Sequence, residues 1–354
     1  MFMKFSETVE ANRGNISWMN NLRLIAILAV VALHTASPLL FAYNSVSVSD
    51  WIAGDLYNAL TRFAVPVFVM ITGALLLGRE YDLFVFLRKR LGRLILPFLF
   101  WSLVYITYRY YNEEFVFTGK IWTDVRFVLH QLKTGSYYHM WYIYQLIGLY
   151  LFIPVLSKFV RNATEKELLY FLAVWFFAML FSRPYLSSLE TAVDLHNFSG
   201  YIGYMVLGYY VSNKKVRLYG IELIAALLFI CLATIIAAGT YYRQVKFHEL
   251  STYFYEPLGP FVILLSASAL IKAKNTVVKI AQPIQVFLDN ASKSTLGIYF
   301  CHPLVLNFFE LNRITYAAFN SIVSIPTIAL ACFLISWLLI WVMRKIPLLK
   351  YLVE

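Results

Sequence analysis

The stretch LRLIAILAVVALHT, Leu22 to Thr35, decides the fold. It is almost wholly apolar, yet it holds Arg23 near one end and His34 near the other. In a bilayer an arginine at helix mid-depth costs roughly 2.5–3.5 kcal/mol on insertion scales. A membrane segment carrying both residues must therefore give them partners or a cavity. The apolar run containing them extends over about residues 20–41, and roughly 20 apolar residues cross the hydrocarbon core as a helix. Comparable runs follow near 57–78, 93–111, 139–157, 167–183, 198–212, 220–240, 254–271, 294–311 and 322–343. The sixth is short. The second is interrupted by Arg62 and Pro66, with a kink expected at the proline.

Composition agrees. The chain has 354 residues, 60% of them hydrophobic and 14% charged, with a mean hydropathy of +0.67. Soluble domains are about 45–50% apolar and about 25% charged; so little polar material cannot cover a soluble protein of this size. The expected fold is an all-α, polytopic bundle of about ten transmembrane helices. It forms one integral membrane domain over residues 1–354, with a short cytoplasmic tail over 1–19. The first apolar run serves as an uncleaved insertion signal. No internal repeat is evident, and the longest outer loop, about 112–138, is too short for a soluble domain.

Charge orients the bundle. The net charge of +11 does not point to nucleic acid, because the basic residues cluster in short loops between apolar runs. One alternating set of loops and tails holds 20 Lys and Arg, the opposite set 8. The rich set, which includes Arg79, Arg161, Lys166, Lys214, Lys215, Arg217 and Arg344, is cytoplasmic by the positive-inside rule. Lys120, Arg126, Lys133 and Arg183 belong to the poor set. Both termini then lie in the cytoplasm, which requires an even number of spans. The cysteines, Cys231, Cys301 and Cys332, fall in apolar runs without a CxxC. They read as small buried hydrophobes, with no disulfide framework and no metal site. Tyr105, Tyr108, Tyr110, Tyr111, Tyr137, Tyr138, Trp141 and Tyr142 flank the third and fourth spans as interfacial aromatics would.

Four stretches carry candidate chemistry. Arg23 and His34 are eleven residues apart, three helical turns plus about 20°, so they share a face with about 16 Å of rise between them. Arg23 can snorkel to the cytoplasmic interface. His34 lies past mid-depth towards the outer leaflet, where ionisable residues face a bundle interior. In TRFAVPVFVMITGALLLG, Arg62 enters the second span and Thr72-Gly73 lets another helix approach. In FLRKRLGRLILPFLFWS, Arg88, Lys89, Arg90 and Arg93 sit just before the third span. They suit either anionic lipid or a multiply phosphorylated ligand. In SKSTLGIYFCHPLVLNFFE, Tyr299, His302 and Glu310 share one span. His302, preceding Pro303, suits satisfaction of kink carbonyls as well as catalysis.

Taken in order, these stretches resemble the acyltransferase-3 family of integral membrane acyltransferases. The matching pieces are Arg23, Ala26 and His34; Val65-Pro66-Val67-Phe68 through Thr72-Gly73-Ala74-Leu75-Leu76; Arg88-Lys89-Arg90 with Arg93, Leu94 and Pro97; His139, Trp141 and Tyr142; and Thr295-Leu296-Gly297-Ile298-Tyr299 with His302-Pro303. The resemblance covers nearly the whole chain and is nearest the O-acetyltransferases of surface polysaccharides, the enterobacterial common antigen type among them. It implies acyl transfer from cytoplasmic acetyl-CoA to a sugar hydroxyl on the outer side, in a bacterial inner membrane. The acceptor would be a polysaccharide or its lipid-linked precursor. The partners implied are membrane lipids, the acyl-CoA donor and that glycan, with no nucleic acid and no permanently bound cofactor. His34 is then the expected general base, with Arg23 beside it in catalysis. Arg62, Arg88, Lys89, Arg90 and Arg93 are expected to hold the donor, and Trp141, Tyr299 and His302 to shape the cavity. The rival class is a glycan or lipid exporter, since intramembrane His, Arg and Glu also build proton relays. Transporters often show paired repeats with matching broken helices; only the second run here is strongly interrupted.

Overall fold

The computed structural model describes residues 2–181, 200–214, 219–248 and 250–353, with side chains from Ser17 onward. Arg183, Lys215 and Arg217 of the charge pattern lie outside the described residues. The chain folds into helices α1 (Phe2–Phe41), α2 (Val48–Thr61), α3 (Ala64–Leu76), α4 (Leu83–Tyr111), α5 (Ile121–Thr134), α6 (Trp141–Asn162) and α7 (Glu165–Phe181). Then come α8 (Ile202–Asn213), α9 (Ile221–Phe247), α10 (Pro260–Asn275), α11 (Gln282–Ser292), α12 (Thr295–Leu311), α13 (Ser321–Lys345) and α14 (Pro347–Lys350). No strand occurs among the described residues.

Each expected span overlaps helix among the described residues, the second as two helices, α2 and α3. Seven units are long and apolar enough to cross a membrane: Ser17–Phe41, Val48–Leu76, Leu83–Tyr111, Trp141–Asn162, Ile221–Phe247, Tyr253–Asn275 and Ser321–Lys345. The other three expected spans coincide with α7, α8 and α12, of 17, 12 and 17 residues. At 1.5 Å per residue α8 covers only about 18 Å of a core roughly 30 Å thick. Its Gly203, Tyr204, Met205, Val206, Gly208 and Val211 are buried, so protein rather than lipid surrounds much of it.

Several expectations are corrected. The second span does not kink at Pro66; it breaks one turn earlier, where Arg62 caps the end of α2 and Phe63 opens α3. Pro66 sits in the first turn of α3, where its missing N–H has no intrahelical partner to lose. The Arg88–Arg93 run is not a loop before the third span but part of α4, which starts at Leu83 after an Asp82 cap that accepts the Val85 N–H at 2.9 Å. The segment 112–138, expected as an outer loop, contains α5, whose Ile121, Trp122, Val125 and Leu129 are exposed. The tail preceding the first span continues α1 as helix. Cys231 faces outward, while Cys301 and Cys332 are buried; all three are free thiols.

α1 lies at the centre, packed against α2, α3, α11, α12 and α13. Its placement makes the Arg23–His34 face an interior one. Beside it α3 and α8 cross closely. A Cβ added at Gly73 would lie 2.0 Å from the Met205 carbonyl oxygen, and one at Gly208 2.0 Å from that of Met70. The two glycines thus let the two backbones touch reciprocally, the close approach expected at Thr72-Gly73.

Candidate active site

The His34 face of α1 is the starting wall. Ala26 and Val30 are buried beneath it, and the His34 ring stacks on His302 of α12, centroids 5.3 Å apart at 30°. The Tyr138 ring lies 4.9 Å from it. A third histidine, His139, stands 5.5 Å from His302 and 5.1 Å from both Tyr105 and Tyr299. The segment before α6 reaches this position because it is tied to α12. The Tyr299 hydroxyl donates to the His139 carbonyl, and Asn307 Nδ2 donates to the Tyr137 hydroxyl at 2.7 Å. The Tyr105 hydroxyl, on α4, donates to the Phe300 carbonyl at 2.6 Å. Burial pushes the Tyr137 and Tyr138 phenols up from their ordinary pKa, so both stay protonated near neutral pH.

His302 is fully buried. Pro303 has no N–H to give the Tyr299 carbonyl four residues earlier, and the His302 Nδ1 pairs with the Ile298 carbonyl at 3.1 Å. Its Nε2 is buried with no hydrogen-bond partner. His34 makes no hydrogen bond among the described residues and is only partly buried. Cys332 Sγ approaches the His302 carbonyl at 3.5 Å.

Arg62 forms a second wall. Its Nη2 donates to Asn58 Oδ1 at 3.1 Å, and its guanidinium lies 4.0 Å above the Tyr255 ring. The Tyr255 hydroxyl in turn donates to the carboxylate of Asp55, which is 2% exposed. Arg62 Nε is buried without a partner, and the guanidinium is within electrostatic reach of His34. Cation–π contact and the nearby carboxylate offset the cost of burying this charge.

The remaining candidates divide. Arg23 sits within electrostatic reach of Arg90, Tyr142 and Tyr150, below the histidines. Arg88, Lys89 and Arg93 instead line an outward groove of about 550 Å³ with Val85, Leu96 and Tyr351. Arg90 lies about 130° round the helix from that groove's midline, so the four basic residues do not act as one cluster. Trp141 is 44% exposed, its ring against Tyr142 and Tyr201, away from the histidines. Glu310 is exposed. Tyr105 and Tyr142 are buried in the site, whereas Tyr110 and Tyr111 are exposed as interfacial rings would be.

Sequence reasoning misses Asp55 and Tyr255; His139, a residue of the family resemblance, and Tyr105, read as an interfacial aromatic, both stand in the site. Asp55, Asn58 and Arg62 recur at i, i+3 and i+7, a helical spacing that puts them on one face and was there to be read. Among the described residues no group of three His, Cys, Asp or Glu is arranged to hold a metal ion.

No curated protein and no solved structure matches the chain. The sequence model of one family, Acyl_transf_3, described as an acyltransferase domain, matches residues 16–341 and so takes in Arg23, Arg62, the Arg88–Arg93 run and the three histidines. The chain is a multi-pass membrane acyltransferase, a member of the acyltransferase-3 family.

Proposed function

We propose that this acyltransferase moves an acetyl group from cytoplasmic acetyl-CoA to a hydroxyl of a surface polysaccharide, or of its lipid-linked precursor, at the outer side of a bacterial inner membrane. The observation that supports it most is His34, an unpaired imidazole on the interior face of the central helix, stacked on a second imidazole and within reach of a buried guanidinium. A sugar hydroxyl is a weak nucleophile and needs a base in contact with it; a neutral imidazole suits that task near pH 7. In the transfer the hydroxyl oxygen bonds to the thioester carbon, the carbon–sulfur bond breaks, and the hydroxyl proton passes through His34 to the departing thiolate. Arg62, with a free buried N–H, is placed to stabilise the carbonyl oxygen as it gains charge. Arg23 and Arg90 flank the path from the cytoplasm, and Arg88, Lys89 and Arg93 offer cations for the donor's phosphates.

The test is release of free CoA from acetyl-CoA by purified protein in lipid nanodiscs, with and without an extract of surface glycans. Glycan-dependent release is the expected result. Binding of acetyl-CoA without turnover in any extract would remove the glycan acceptor from the reading. No binding at all would remove acetyl-CoA as donor.

A further inference from the structure

His302 has a feature that kink filling does not use. A carbonyl oxygen only accepts hydrogen bonds, so the nitrogen facing Ile298 must carry the proton. The Nδ1–H···O contact at 3.1 Å therefore fixes the neutral ring with a lone pair on Nε2. That lone pair is buried and unpartnered, beside a ring stacked 5.3 Å away. A base oriented by an acceptor on its far nitrogen is the arrangement that catalytic histidines use, because the acceptor also stabilises the imidazolium once formed. His34 has no such orienting group among the described residues. A merely structural histidine would gain nothing from a desolvated lone pair, which costs free energy when left unpaired.

We propose that His302 is a second catalytic base, its Nε2 sharing the acceptor hydroxyl with His34, so that the two rings carry one proton between them during transfer. The inference rests on the acyltransferase reading above. The hydroxyl proton ends on one of the two imidazoles as the oxygen–carbon bond forms, and it leaves with the CoA sulfur as the carbon–sulfur bond breaks. Like charges so close disfavour a doubly protonated pair. The pair is thus a single proton store, and removing either ring disables it.

The experiment is a double-mutant cycle on glycan-dependent CoA release. His302→Asn keeps an amide N–H for the Ile298 carbonyl and deletes the Nε2 lone pair. The expected loss in kcat is about 10²–10⁴-fold, the usual range for a positioned acid–base group, with KM for acetyl-CoA and acetyl-CoA binding unchanged. The His34→Ala, His302→Asn double variant should be no slower than His34→Ala alone, since residues acting as a unit are non-additive. Retention of kcat within about threefold by His302→Asn, or losses that multiply in the double variant, would overturn the proposal. If His302→Asn fails to bind acetyl-CoA, His302→Gln takes its place, and failure of both to bind would make His302 a structural residue only. Absence of CoA release by the unmodified protein would instead count against the acyltransferase reading.

Discussion

Arg62 shows how a charge can be kept deep in the bundle at tolerable cost. Its Nη2 donates to Asn58 and the Tyr255 ring lies against its face, while the buried Nε–H has no partner and can be offered to a substrate. Replacing it with alanine should lower kcat about 10²–10³-fold, the loss typical of a removed oxyanion donor, while acetyl-CoA binding measured by calorimetry stays. Loss of donor binding with kcat intact at saturation would place Arg62 on the donor's path instead. Tyr255→Phe tests the support behind it. Asp55 would lose its hydroxyl donor while remaining 2% exposed, at a cost of roughly 1–3 kcal/mol, read as a lower Tm in nanodiscs. An unchanged Tm would mean that Asp55 finds another partner. The pH profile of kcat should rise with pH through the titration of the paired imidazoles, because only the neutral ring accepts a proton.

At the scale of helices, two contacts separate folding from binding. The α3–α8 crossing leaves no room for side chains: Gly73→Leu or Gly208→Leu would drive carbons into the Met205 or Met70 backbone, and the helices would have to part. Both variants should reduce yield of folded protein in membranes, whereas Gly148→Ala, with nothing within 4 Å of the added carbon, should not. On α4 the split between Arg90 and its neighbours has a kinetic counterpart. Arg88→Gln with Arg93→Gln, on the outward groove, should raise KM for acetyl-CoA several-fold and weaken its salt dependence, leaving kcat unchanged. An unchanged KM would assign that groove to lipid headgroups.

For the whole molecule, the charge pattern sets a topology that labelling can read. Val116 is 77% exposed in the α4–α5 loop and Val277 89% exposed after α10. Five expected spans separate them, so they should lie on opposite sides of the membrane. In a Cys231→Ser background, Val116→Cys should react with an impermeant maleimide from outside and Val277→Cys only after permeabilisation. Reaction of both from one side would remove one span from the ten. Much of this architecture is legible because hydropathy is a local signal: each apolar run overlaps helix among the described residues, although the second divides into α2 and α3. The break at Arg62 reads as a proline kink in the sequence because Pro66 is a loud breaker, yet a proline in a first turn costs little. The convergence of His139, Tyr105 and Tyr255 on the site is hidden for a different reason. They join the site through packing of α4, α6 and the segment before α10, and no spacing along the chain records that convergence. His34, Arg23 and Arg62 were legible because charge in an apolar run demands explanation by itself.

The most direct measurement is CoA release by the unmodified protein and by His34→Ala, side by side in nanodiscs, with acetyl-CoA and a surface-glycan extract. If His34 is a base of the transfer, the variant binds acetyl-CoA normally and its glycan-dependent CoA release falls about 10²–10⁴-fold. Full glycan-dependent release by His34→Ala would contradict that role and move the chemistry to another group.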